Sequence, residues 1–194
     1  MTRSTPILDA LAWRQQPNPL LNTQQKQWLA RPGALTDGLR TLGALELVVI
    51  DERAQQPSID EALRLKLSPN KVAWIREVVM SINGTPCIVA RSLTDWQSST
   101  GVWRGIRQLG TRPLADMLYN DARVQRSHFE YTRLRQTQGL AQAWSKSLDP
   151  ALASARPPAL FARRSLFICQ VKRLLVSECF LPAFWLLTEQ QKYK

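Results

Sequence analysis

The sequence predicts an α+β fold, a single domain over residues 1–194 built on a largely antiparallel β-sheet with helices packed against it. Three observations predict it. Runs of alternating, β-rich sequence fall at residues 45–51, 72–81, 87–93, 124–135, 161–169 and 172–181. Two of them meet around Asn83-Gly84, a pair suited to a tight turn with positive φ. Helical patterns come in groups, with little of the strand-helix-strand rhythm that builds parallel sheets. A chain of 194 residues can bury one core without disulfide or metal staples.

Taken in order, residues 5–15 suit a short helix after Pro6, with Leu8, Leu11 and Trp13 loosely amphipathic. Residues 23–31 suit a second, capped by Thr23, with Trp28 and Leu29 facing inward and Pro32-Gly33 ending it. A third covers 35–42 and closes at Gly43. Residues 45–51 form a strand, and Ser58 with Glu61 three residues on has capping-box spacing for a helical turn over 58–65. The Asn83-Gly84 hairpin follows. Residues 100–109 read as a helix ended by Gly110. Thr111 then caps another through Tyr119, with Pro113 in the first turn, where its missing N–H costs nothing. In the run 124–135, Val124, Arg126, His128 and Glu130 share one side, and Phe129, Tyr131 and Arg133 the other. The Ala-, Ser-, Gln- and Pro-rich stretch 136–160 reads as a surface excursion before two adjacent strands, and residues 190–194 as a frayed tail.

Composition is that of an ordinary globular protein, 44% apolar and 21% charged. The excess of 26 Lys+Arg over 15 Asp+Glu creates a field that draws in anions. Nucleic acid finds little support as the partner. The seven tryptophans are scattered rather than interleaved with lysines, and no helix-turn-helix, zinc-finger or RNA-recognition signature occurs. No Gly-rich phosphate loop or dinucleotide fingerprint is present either. Cys87, Cys169, Cys179 and the single histidine, His128, lack zinc-ligand spacing and read as buried thiols and a structural histidine. No secretory signal opens the chain, and Lys172, Arg173 and Glu178 interrupt its most apolar C-terminal region. The expectation is a cytoplasmic protein without a membrane span.

Two charges stand where strands should bury hydrocarbon. Arg76 shares its strand parity with Val72, Trp74, Val78 and Met80; Glu178 shares its own with Leu174, Val176 and Phe180. Such residues are seldom buried without a partner or ligand. Each could instead reach the sheet margin or pair with a neighbour. A sheltered site for a small anionic or hydroxylated molecule is the sharper reading. The start of the helix after Thr111 adds the backbone amide of Leu114 as a donor for an anionic oxygen.

The chain resembles chorismate pyruvate-lyase at these same residues. The resemblance rests on Trp74-Ile75-Arg76-Glu77, the hairpin through Asn83-Gly84 to Ala90-Arg91-Ser92, Leu109 through Leu114, and Ser177 through Pro182. A fainter match lies at Ala34-Leu35-Thr36, and the order and spacing hold over residues 25–183 apart from the 136–160 stretch. It implies a monomer with helical flaps over an enclosed site, converting chorismate to 4-hydroxybenzoate and pyruvate for ubiquinone synthesis without metal or organic cofactor. It also implies that Arg76 and the Leu114 amide hold the ring carboxylate, that Glu178 meets the ring hydroxyl, and that Leu35 lines the pocket where the family often has methionine. Arg91 is a further candidate for the second carboxylate. The chain departs from the family in having Gln170-Val171 where a Gly-containing turn is common. A non-enzymatic sensor of small aromatic acids, akin to the effector domains of GntR-type regulators, is the alternative class. Those normally follow a DNA-reading domain, for which the roughly 40 residues before the first strand are too few.

Overall fold

The computed structural model describes residues 13–68, 70–134, 139–140, 143 and 160–191. Its centre is a seven-stranded, wholly antiparallel sheet: β1 (Leu45–Gln55), β2 (Ala73–Ile82), β3 (Thr85–Asp95), β4 (Gln125–Arg126), β5 (Glu130–Arg133), β6 (Phe161–Cys169) and β7 (Lys172–Phe180). The strand order is β1-β2-β3-β7-β6-β4, and β5 shares the outer edge of β6 with β4. The helices are α1 (Thr23–Ala30), α2 (Leu35–Arg40), α3 (Ile59–Leu65), α4 (Trp96–Thr100), α5 (Ala115–Leu118) and α6 (Pro182–Gln190), with a 3-10 segment at Arg104–Gln108. The α+β, antiparallel expectation holds.

Register decides what each face carries. Asn83 and Gly84 both have positive φ, as a two-residue hairpin requires, and Ile82 pairs with Thr85 beside them. Uninterrupted, that register would set Arg76 opposite Arg91, on one face. Instead the pairing shifts by one residue between Met80 and Ser81, opposite Pro86-Cys87-Ile88, so Arg76 pairs with Ser92 and Glu77 with Arg91. Such a bulge moves every later side chain of β3 to the other face. A second shift, between Val49 and Asp51 in β1, brings Glu52 opposite Arg76.

On the near face, α1, α2 and α6 pack Leu29, Leu39 and Phe184 against Met80, Ile88 and Phe180. At the other end of that face, Trp103, Ile106 and Leu118 cover Phe167 and Leu174. The ground between these two helical groups is left for a cavity. On the far face, Leu65 packs on Ile75, Leu93 and Leu175, while Leu140, Ala143 and Leu160 cover Val89, Ala162 and Cys179.

Several elements differ from their sequence reading. Asn22, not Thr23, caps α1, forming a capping box with Gln25. The Ser58–Glu61 box is present as expected. The helix read over 100–109 is broken: α4 stops at Gly101, and a 3-10 segment follows. Thr111 caps nothing; α5 begins after Leu114, because Arg76 draws the preceding loop onto the sheet through two of its carbonyls. The 124–135 run splits into β4 and β5, so Arg126 and Glu130 serve different surroundings. α6, opened by Pro182, had no counterpart in the sequence reading. The helix read over 5–15 lies largely outside the described residues. Of the 136–160 stretch, the described Leu140, Ala143 and Leu160 are buried in the core rather than on a surface.

Candidate functional site

Arg76 and Glu178 project from the near face into one cavity, whose lining also includes Leu35 and Leu114. Their strands flank β3, so with neighbours about 4.8 Å apart their backbones stand about 10 Å apart across the sheet. The floor between them is made of the small side chains Ala90 and Ser92 on β3, and it continues past Glu178 over Val176 on β7 and Ser165 on β6. A bulkier set there would fill the space.

Arg76 is 2% exposed. Its Nη2 donates to the Gly110 carbonyl at 2.7 Å and, more weakly, to Arg112 at 3.4 Å. These bonds pin the loop that leads to Leu114. Positive φ at Gly110 (54°) lets the chain turn there. Glu52 approaches Arg76 Nε only to 3.7 Å, and Nε has no hydrogen-bond partner among the described residues. Burial pulls the Arg76 pKa down, and Glu52 offsets part of that; burial likewise pushes the Glu52 carboxyl up. The guanidinium is thus held in place with donors to spare, which suits an incoming carboxylate. At Leu114 the carbonyl accepts from Met117 and Leu118, so the preceding amides lie at a helix start.

Glu178 is held by Arg163, its antiparallel partner on β6. Arg163 Nε donates to Glu178 Oε2 at 2.6 Å, and its Nη1 donates to the carbonyls of Leu29 (3.2 Å) and Arg31 (2.9 Å) at the end of α1. This buried arginine therefore ties α1, the sheet and Glu178 together, leaving Oε1 of the carboxylate for a ligand. The signal was present: a two-residue turn at Gln170-Val171 makes Arg163 and Glu178 direct antiparallel partners.

Two loops close over the cavity. The Tyr119 hydroxyl, just past α5, donates to the Gly33 carbonyl, just before α2, at 2.8 Å. Arg126 Nη1 donates to both, at 2.7 Å to Tyr119 and 3.2 Å to Gly33. Burial pushes the Tyr119 phenol above its usual pKa, with Arg126 opposing. Sequence reading missed Tyr119 and Arg126 as site residues, since their place depends on loops distant in sequence meeting at Gly33.

Arg91 does not reach this cavity. It lies on the far face, where Nε and Nη2 grip Glu61 at 2.7 and 3.1 Å and Nη1 meets Glu77. Asp60 joins the same layer through Arg164 at 2.9 Å. Gly139 passes so close that a Cβ there would meet Glu61 and Arg91. The one-residue bulge at Cys87 is the reason Arg91 faces away from this cavity. His128 is exposed between β4 and β5, and the three cysteines are buried free thiols. Arg107 stacks between Trp74 and Trp96 at 4.3 and 4.1 Å. Among the described residues no helix is long and apolar enough to cross a membrane.

Known proteins share both the sequence and the fold. The profile of the family described as chorismate lyase matches residues 7–190. A probable chorismate pyruvate-lyase of Bordetella avium is 45% identical over 181 residues, covering 91% of this chain and 86% of that one. A probable chorismate pyruvate-lyase 1 of Pseudomonas fluorescens is 39% identical over 173 residues, covering 89% and 90%. Among solved structures, the effector domain of PhnF from Mycobacterium smegmatis aligns with a TM-score of 0.51 at 13% identity, over 87% of this chain and 93% of that one. At that identity the likeness concerns the fold alone. With a profile match along nearly its whole length and relatives this similar, the chain belongs to the chorismate lyase family.

Proposed function

We propose that this protein cleaves chorismate to 4-hydroxybenzoate and pyruvate, acting as a cytoplasmic monomer that supplies 4-hydroxybenzoate to ubiquinone synthesis. The observation that carries the reading is the placing of Arg76 and Glu178 at separate points of one small-floored cavity in a chain of this family. Arg76, with the Leu114 amide, takes the ring carboxylate. Glu178 accepts from the C4 hydroxyl, its other oxygen being held by Arg163. Leu35 packs on the ring from the α2 side.

In the reaction the C3–O bond breaks, its electrons leave with the enolpyruvyl oxygen, and the ring loses the hydrogen at C4. The departing enolpyruvate takes up one proton at carbon to become pyruvate, so atoms balance and the change is redox-neutral overall. Aromatisation supplies the driving force. The protein's part is to orient the ring, exclude water and set charges where they favour departure. Incubation with chorismate, following 4-hydroxybenzoate by absorbance and pyruvate by a coupled assay, should yield the two products in equal amounts. Binding of 4-hydroxybenzoate with no turnover of chorismate would instead support a ligand sensor, the reading that the regulator-like fold keeps alive.

A further inference from the structure

Chorismate carries two carboxylates, and Arg76 with the Leu114 amide answers one of them. We propose that Arg126 binds the second, on the enolpyruvyl side chain, an assignment that rests on the chorismate reading above. Arg126 and Arg76 stand on opposite flanks of the cavity: Arg76 is on β2, Arg126 on the edge strand β4, with β3, β7 and β6 between. A dianion lying across the floor would meet a guanidinium at each end.

The Arg126 side chain is set up for this role. Both of its hydrogen bonds use Nη1, to Tyr119 and Gly33. A guanidinium carries five N–H donors, and the Nε/Nη2 edge is the one that takes a carboxylate in a two-point grip. That edge donates to nothing among the described residues. The group is stacked over Phe129 at 4.4 Å, which fixes its plane in advance. No described carboxylate pairs with Arg126, whereas Arg163, the third arginine in the lining, is already committed to Glu178 and to α1. A second donor waits in the segment Arg126 touches: Thr36 lines the cavity, is buried, and its hydroxyl has no hydrogen-bond partner among the described residues. Arg126 and Phe129 also line an outer groove with Lys26 and His128, so they form the partition between the cavity and open solvent. The enolpyruvyl end, which departs as pyruvate, is thereby placed at the exit.

The test uses a ligand pair that differs by this carboxylate. Chorismate has it; 4-hydroxybenzoate does not. Arg126→Gln should lower kcat/KM for chorismate by about 10-fold or more, the scale of a lost charge-assisted hydrogen-bonded pair at a half-buried guanidinium. The same variant should bind 4-hydroxybenzoate within about 3-fold of the wild type, which also shows that it is folded and its flaps still close. Arg126→Lys, which keeps the charge without the fork, should recover part of the loss. Equal losses for both ligands, or no loss for chorismate, would overturn the assignment. Wild-type behaviour of Arg76→Gln toward both ligands would instead overturn the underlying site.

Discussion

Arg76 and Arg91 stand on adjacent strands of one hairpin, both almost inaccessible to solvent, and they are used in opposite ways. On the near face, Arg76 spends one nitrogen on backbone carbonyls and sees its nearest carboxylate only at 3.7 Å. On the far face, Arg91 spends Nε, Nη1 and Nη2 on Glu61 and Glu77. A buried guanidinium with donors left over has capacity for a ligand; one whose donors are consumed is part of the framework. The comparison teaches that burial and charge alone do not mark a site. What marks it is the unfilled remainder of the hydrogen-bonding capacity, together with small neighbours such as Ala90 and Ser92 that leave room.

The sharpest way to break this contrast is to remove each arginine in turn. Arg91→Ala should cost stability by about 3–5 kcal/mol, because Glu61 and Glu77 lose a buried counter-charge. Urea unfolding should show the loss, while the folded fraction keeps its KM for chorismate. A raised KM without a stability change would mean Arg91 serves the ligand after all. Arg76→Ala should do the reverse, lowering kcat/KM for chorismate by about 2–5 kcal/mol equivalent, roughly 10²–10³-fold, with the fold retained. Glu178→Ala should lower kcat/KM by less, since it removes one acceptor rather than a charge pair at the substrate carboxylate, but it should also cost stability, because the buried Arg163 loses its carboxylate.

Acid sharpens the contrast further. Arg91 and hydrogen bonds from Ser58 outweigh burial at Glu61 and hold its carboxyl below the usual 4.5. A carboxyl depressed in the folded state contributes stability that is present above the unfolded pKa and fades as pH falls through the folded one. Asp60 is opposite in sign: burial, then its neighbour Glu61, raise its pKa, so it takes up a proton earlier without weakening the fold. Stability should therefore decline on acidification below about 4.5 through Glu61. In Glu61→Gln that part of the decline should be absent in unfolding curves taken across this range.

The smallest effect concerns the turn between β6 and β7. Gln170 and Val171 have φ of 48° and 61°, and Val171 is exposed, so a β-branched residue sits in the left-handed region with no packing in return. Val171→Gly should raise stability by about 1 kcal/mol, measured as a shift in the unfolding midpoint, with kcat unchanged.

Much of this was legible beforehand. The turn chemistry of Asn83-Gly84 and the parity of Arg76 and Glu178 pointed to a hairpin and to two charges on apolar faces, because strand alternation is a local property. Arg163 was legible too, through the pairing that the Gln170-Val171 turn imposes. Leu35 was named from family resemblance and Leu114 from the helix start after Thr111, and both line the cavity. Arg91 was misplaced because a bulge inserts one residue without any strong sequence signal. Arg126 and Tyr119 were passed over because their place depends on two loops, distant in sequence, meeting over the sheet. The Thr111 cap failed for a similar reason, a contact from Arg76 that local propensity cannot foresee.

The chain's own order of residues determined the α+β class, the hairpins, and which positions alternate along each strand, since these follow from backbone sterics and turn residues within a few positions. Only the tertiary structure decided which face each alternating set occupies, which arginines find carboxylates, and where space remains. Those outcomes depend on register across strands far apart in sequence, where a single extra residue reverses inside and outside.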